Sequence, residues 1–145
     1  MRRELLLALL LLAAPLAIAE NDVQVINLHG DDYTISKTLP GEIIGLYQYE
    51  GKGEPIVEIN SDGKGRFQPH GRPPINIAIW IAVDENGAPR RQIGNEQRYR
   101  YTLLIQYGPG GDGNYPEGKY DLMDVTMLKD QGIAMIFGER TRQLN

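Results

Sequence analysis

The chain has 145 residues, with 15 Lys or Arg against 19 Asp or Glu, a net charge of −4 at pH 7, and no Cys. That length suits one domain. The acidic balance argues against general nucleic-acid binding, which needs a basic face; without Cys there is no disulfide scaffold, and the fold must rest on its apolar core.

Residues 1–19 read as a cleaved secretory signal peptide. Arg2-Arg3 is a basic start, Leu5 to Ala14 is apolar, and Ala17-Ile18-Ala19 is an A-x-A cleavage site. The apolar run, broken at Pro15, is shorter than the roughly 20 residues of a membrane span. Residues 20–145 then form a single β domain, expected in the periplasm or secreted from a bacterial-type cell, with no membrane span in the mature chain.

In chain order, Val23 to Leu28 is a short first strand, His29-Gly30-Asp31-Asp32 a turn, and Tyr33 to Leu39 a connector. Pro40-Gly41 punctuates the chain before a strand over Ile43–Tyr49. Ile56–Asn60 and Gly65–Gln68 follow as a hairpin around Ser61-Asp62-Gly63-Lys64. In Ile75–Val83 one face is Ile or Val throughout and the other is small or aromatic. A strand with no charged face is expected to be covered on both sides. Pro89–Gln97 reads as a long polar connector with room for one helical turn. Arg98–Tyr107 alternates tyrosines and aliphatics with polar residues, and Gly108–Gly118 is a Gly- and Pro-rich loop. Along Lys119–Leu128 the apolar parity changes near Leu122-Met123, which predicts a bulge. Ile133–Phe137 is read as the last strand and Glu139–Asn145 as a polar tail.

Nearly all connectors are too short for parallel crossovers. The fold class is therefore all-β, an antiparallel meander of seven to eight strands. A small up-and-down barrel is preferred over a two-sheet sandwich, because closure removes the exposed edges of an Ile-rich sheet. Gly45-Leu46-Tyr47 in the opening strand and Arg140 after the expected last strand resemble lipocalin-like barrels, which carry Gly-x-Trp and often a basic residue there; here Tyr replaces Trp. The resemblance implies architecture only.

Several motifs are better explained by structure than by chemistry. Gly108-Pro109-Gly110-Gly111-Asp112-Gly113 matches G-x-G-x-x-G, but a strand rather than a phosphate-binding helix is expected after it. Glu58, Asn60, Asp62 and Gly63 imitate half a calcium loop, whose twelfth position is Pro69 instead of Glu. His29 with Asp31, Asp32 and the distant His70 falls short of a zinc ligand set. Ser36 and Ser61 lack a nucleophile elbow. Neither cofactor nor metal is expected, and the chain leans away from being an enzyme.

The positive features are aromatic and basic. Tyr47, Tyr49, Trp80, Tyr99, Tyr101 and Tyr107 lie on strands, where they fill the lumen or wall a ligand cavity. Arg90 and Arg91 on one long loop, and Asp112, Asn114 and Tyr115 on the other, are the candidates for a partner surface. Arg98 and Arg100 face away from the tyrosines and add to a local basic patch. The functional expectation is an exported, non-catalytic barrel that binds a small, partly apolar molecule. The alternatives are an interaction or inhibitor module acting on an exported protein through its loops, and a hydrolase with a carboxylate pair.

Overall fold

A computed structural model describes residues 22–50 and 56–144. Residues 1–21, which include the expected leader, 51–55 and 145 lie outside the described residues. The strands are β1 (Val23–Leu28), β2 (Asp31–Ser36), β3 (Gly45–Tyr49), β4 (Ile56–Ile59), β5 (Lys64–Phe67) and β6 (Ile75–Ala82). They continue with β7 (Arg91–Ile93), β8 (Arg98–Tyr107), β9 (Tyr120–Leu128), β10 (Ile133–Ile136) and β11 (Glu139–Gln143).

Eight of them close an antiparallel up-and-down barrel in the order β3-β4-β5-β6-β8-β9-β10-β11, with β11 pairing back onto β3. Successive barrel strands run in opposite directions, so β3, β5, β8 and β10 all end at one mouth, here called the upper. The β1–β2 hairpin branches from the lower end of β6, where Ile35 pairs with Ala82 and Ser36 with Ile81. β7 borders the lower part of β8, with Arg91 opposite Tyr101.

The pleat separates the two environments. Val57, Ile59, Ile77, Ile79, Ile81, Leu103, Ile105, Met123, Val125 and Ile136 pack into one inner core. Arg66, Glu58, Arg98, Arg100 and Asp124 stand outside in ion pairs. Apolar side chains inward and charge outward is the reverse of a membrane-spanning barrel. No described helix is long and apolar enough to cross a membrane. The outer face of β6 is covered as well. Trp80 and Leu104 meet Ile35 there, with Ile26, Leu28 and Tyr33 packed around them.

Four expectations need correction. The segment Glu139–Gln143 is the closing strand and not a tail, and Arg140 lies within it instead of after the last strand. It carries a single buried side chain, Thr141, among charged and polar neighbours, so it shows no apolar alternation. The connector after His29-Gly30 is β2; its Asp31-Asp32 start hides a strand that hairpin pairing with β1 stabilises. The Pro89–Gln97 connector holds a strand, β7, and not a helical turn. No bulge interrupts β9, whose register with β8 runs unbroken from Arg98–Leu128 to Gln106–Tyr120. Tyr120 and Leu122 simply face outward, and the Tyr120 ring packs 6.1 Å from Trp80.

The false calcium loop is a hairpin. Glu58 accepts from Arg66 and Asn60, and Asp62 Oδ1 accepts the Lys64 N–H. Gly63 takes φ +77°, and a Cβ on Gly65 would stand 1.9 Å from the Glu58 carbonyl oxygen.

Candidate functional site

The barrel divides the six aromatic residues singled out from the sequence into three places. Tyr47 is fully buried and donates its hydroxyl to the Ile43 carbonyl at 2.7 Å. Tyr99 and Tyr101 lie with it toward the lower mouth. Trp80 is on the outside, under the β1–β2 hairpin. Only Tyr49 and Tyr107 reach the upper mouth, where both line a cleft of about 290 Å³.

The lower mouth is closed by a polar plug. A short 3₁₀ turn, Gly41–Ile43, sets Ile43 into the core and leaves Glu42 at the rim. Both the Tyr99 and Tyr101 hydroxyls donate to Glu42, and the Lys129 ammonium stands 3.3 Å from it. Burial pushes the Glu42 carboxyl up, but these donors outweigh it and hold the group below the ordinary carboxylate range. From β7, the Arg91 guanidinium packs 3.7 Å from the centre of the Tyr99 ring. Arg91 is thus part of the plug. A shallow groove of about 310 Å³ beside Arg98 and Arg100 lies on the outer wall. Arg98 pairs there with Asp130 at 3.0 Å and Arg100 with Asp124 at 3.7 Å, so acidic neighbours offset the basic patch read from the sequence.

The upper mouth differs. Tyr49, Phe67 and Tyr107 are the last residues of β3, β5 and β8, and Phe137 directly follows β10. Each sits at the same end of alternate strands, so the meander gathers them. The Phe67 ring lies 5.4 Å from Phe137, 5.5 Å from Tyr115 and 6.3 Å from Tyr107. Tyr107 and Tyr115 meet edge to face at 5.4 Å. Such tilted and edge-on pairs align ring edges with ring faces.

Tyr115 arrives from the Gly108–Gly118 loop, which is folded tightly. The Tyr115 N–H donates to the Asp112 carbonyl at 2.9 Å, the Asn114 N–H donates to Asp112 Oδ1 at 3.2 Å, and Arg72 pairs with the Asp112 carboxylate. A Cβ on Gly111 would stand 1.9 Å from the Tyr115 carbonyl oxygen, so the glycine permits the bend. The two long loops sit at opposite ends of β8, so Arg90-Arg91 and the group Asp112, Asn114 and Tyr115 do not form one cluster.

The polar part of the cleft comes from Gln68, His70, Asp121 and Glu139. The His70 ring stacks on Tyr49 at 5.3 Å and its Nε2 lies 2.9 Å from Glu139 Oε2. The Tyr107 hydroxyl donates to Asp121 Oδ2 at 2.7 Å. Burial, then neighbouring Glu139 and Tyr115, push the Tyr49 hydroxyl up to about 12. Burial first and the Asp121 carboxylate second raise that of Tyr107. Both hydroxyls are therefore neutral and able to donate at physiological pH.

Phe67, Phe137, Asp121 and Glu139 are missed by residue-by-residue reading of the sequence, and His70 enters it only as a distant imidazole. A signal was present: in a meander, aromatic residues ending every second strand must share a mouth. Among the described residues, no group of three His, Cys, Asp or Glu side chains is placed to hold a metal. No family model, curated protein or solved structure matches this chain, so function is read from the geometry of the cleft itself.

Proposed function

We propose that this protein is an exported, non-catalytic barrel whose upper cleft binds a small, partly apolar molecule. The observation that carries the reading is an aromatic wall lining a cleft at the upper mouth, whereas the smaller cavity of about 220 Å³ beside Glu42 and Lys129 at the lower mouth has no aromatic lining residue. Phe137 is 39% exposed and is held at φ +51°, a left-handed conformation that costs a bulky residue free energy. Exposure and backbone strain combined in one residue at a cleft are what a recognition site tolerates and a purely structural turn avoids. The cleft volume is at the low end for ligand pockets, which suits a small molecule. Beneath it Leu103, Ile105 and Tyr47 are fully buried, so the ligand rests at the mouth and not deep in the lumen.

The absence of catalysis is proposed because no Ser, Thr, Cys or Lys is among the described residues that line the cleft. Ser36 donates to Asp22 in the hairpin, and Ser61 lies in the lower β4–β5 turn. Export is proposed on the basic start, apolar run and A-x-A end of residues 1–19.

Native mass spectrometry of the protein from its exported fraction tests the reading. The expected species begins at Glu20 and carries a stoichiometric small-molecule adduct that Phe137→Ala loses. A chain that keeps its leader counts against export. An adduct unaffected by Phe137→Ala and Tyr115→Ala counts against the cleft, and a co-purifying protein in its place favours recognition through the loops.

A further inference from the structure

We infer that the upper cleft selects a cation, namely a small organic ammonium carrying apolar groups. The inference rests on the ligand-binding reading above and specifies the ligand's charge.

The first argument is the wall. Tyr49, Phe67, Tyr107, Tyr115 and Phe137 all line the cleft. Aromatic faces carry negative electrostatic potential and attract cations, more strongly once water is displaced. Phe67, buried, and Phe137, exposed, contribute no polar side-chain atom, so their rings offer only apolar contact and this potential.

The second argument is the charge among the rings. Asp121 and Glu139 line the cleft, and no Lys or Arg is among its described lining residues. Two described arginines are paired with other carboxylates: Arg72 with Asp112, and Arg140 with Glu50 at 2.9 Å. His70 is the one basic group in the lining, and Glu139 already holds its Nε2. Asp121 receives the Tyr107 hydroxyl, a neutral donor that leaves its negative charge uncancelled. Lys119, just outside the lining, reaches to 3.8 Å from Asp121 Oδ2 with a half-exposed side chain. An ammonium already drawn to that carboxylate at the rim marks the direction of the field.

A neutral ligand gains apolar contact here but nothing from the two carboxylates, whose own partners, Lys119 and His70, lie at the rim. An anion meets like charge and ring faces of the wrong sign. A substituted ammonium satisfies rings and carboxylates together.

The test is an NMR titration of the full mature chain with three probes of similar size: benzyltrimethylammonium, benzyl alcohol and benzoate. Backbone resonances of the cleft residues are followed, and affinity is checked by equilibrium dialysis. The expected result is shifts confined to the upper mouth, with the ammonium preferred over benzyl alcohol by about tenfold and benzoate weakest. Phe137→Ala is expected to weaken ammonium binding. Glu139→Gln, at a partly exposed site, is expected to erode the preference for the ammonium over benzyl alcohol, and Asp121→Asn to do the same.

If benzyl alcohol or benzoate binds as tightly as the ammonium, or neither carboxylate variant alters the preference, the cation inference is overturned while the cleft reading stands. If none of the three probes shifts a cleft resonance, both are overturned. A variant whose spectrum loses dispersion is set aside, and Glu139→Gln then decides.

Discussion

Tyr107, at the end of β8, donates its hydroxyl to Asp121 Oδ2 on the neighbouring β9 at 2.7 Å. The bond holds the ring upright beneath Tyr115 and fixes a carboxylate at the cleft. Removing the donor with Tyr107→Phe leaves Asp121 short of a partner, and the expected loss of stability is about 1–3 kcal/mol, measured by urea unfolding. A change below the error of that measurement would show that water replaces the bond without cost.

The same hydroxyl gives an alkaline prediction. Tyr47, Tyr49, Tyr99, Tyr101 and Tyr107 all have raised values, with burial the leading cause in each. A value raised on folding means that the folded state favours the neutral phenol. That contribution is complete below the unfolded value of about 10 and is lost as pH rises toward the folded values. The melting temperature is therefore expected to fall steadily from about pH 10 upward, and less steeply in Tyr101→Phe.

At acid pH the sign reverses. Hydrogen bonds from Ser36 and then Thr38 hold Asp22 below the ordinary range, and Arg66 and then Asn60 do the same for Glu58. Glu42 is depressed too, its donors prevailing over its burial. Depressed carboxylates contribute stability above their unfolded values, and the contribution disappears as pH falls through the folded ones. Unfolding is expected to become easier below about pH 4. Glu42→Gln should reduce stability by about 1–3 kcal/mol at neutral pH and flatten the acid limb. An unchanged limb would remove the plug from the explanation.

Phe137 and Gly138, at φ +51° and +75°, form the two-residue turn between β10 and β11. Turns with two positive φ angles favour Asn-Gly or Gly-Gly, so a phenylalanine there is locally the wrong residue. Phe137→Gly relieves the left-handed strain but loosens the unfolded chain and removes the contact with Phe67. Stability is expected to change by less than about 1 kcal/mol, while ligand or probe binding at the cleft is largely lost. Urea midpoints and the NMR titration read the two effects separately.

Trp80 is the chain's single tryptophan. Its indole N–H is buried without an acceptor among the described residues, and the Lys37 ammonium lies 4.7 Å over the ring. Ile35, 2% exposed, seals it from the hairpin side. Ile35→Ala is expected to cost about 2–4 kcal/mol and to shift Trp emission to the red as water enters. Ligand binding at the far mouth should be retained. An unshifted emission would mean that the hairpin closes over the cavity.

The barrel was legible from period-2 alternation wherever one face was apolar, as in β3, β6, β8 and β9. It was not legible in β2 and β11, which form chiefly because a neighbouring strand needs a partner. Asp31-Asp32 and Arg140–Arg142 read as solvated chain until pairing is considered. The apparent parity change at Leu122-Met123 had a different source. Tyr120 is apolar and outward because the hairpin shelters that patch of wall, and alternation alone carries no record of what covers the outside. Tyr49 and Tyr107 were found as cleft residues because they are aromatic on strands, but Tyr47, Tyr99 and Tyr101 share that property and pack elsewhere. What separates the two groups is height along the barrel, which depends on strand direction and register. Glu139 and Asp121 became visible only when the ends of β11 and β9 met that mouth.

Closure through β3 and β11 also sets an order in time. Tyr49 pairs with Thr141 and Tyr47 with Gln143, and the bond from Arg142 to Glu50 spans 92 positions. The sheet can grow strand by strand from its early hairpins, but its two free edges cannot join until β11 is available. Contacts so distant in sequence slow folding, and an open sheet of this composition exposes edges suited to intermolecular pairing. The vulnerable species of this protein is thus the sheet still waiting for β11, and the charges of Glu50, Arg140 and Arg142 lie where the two edges must find each other.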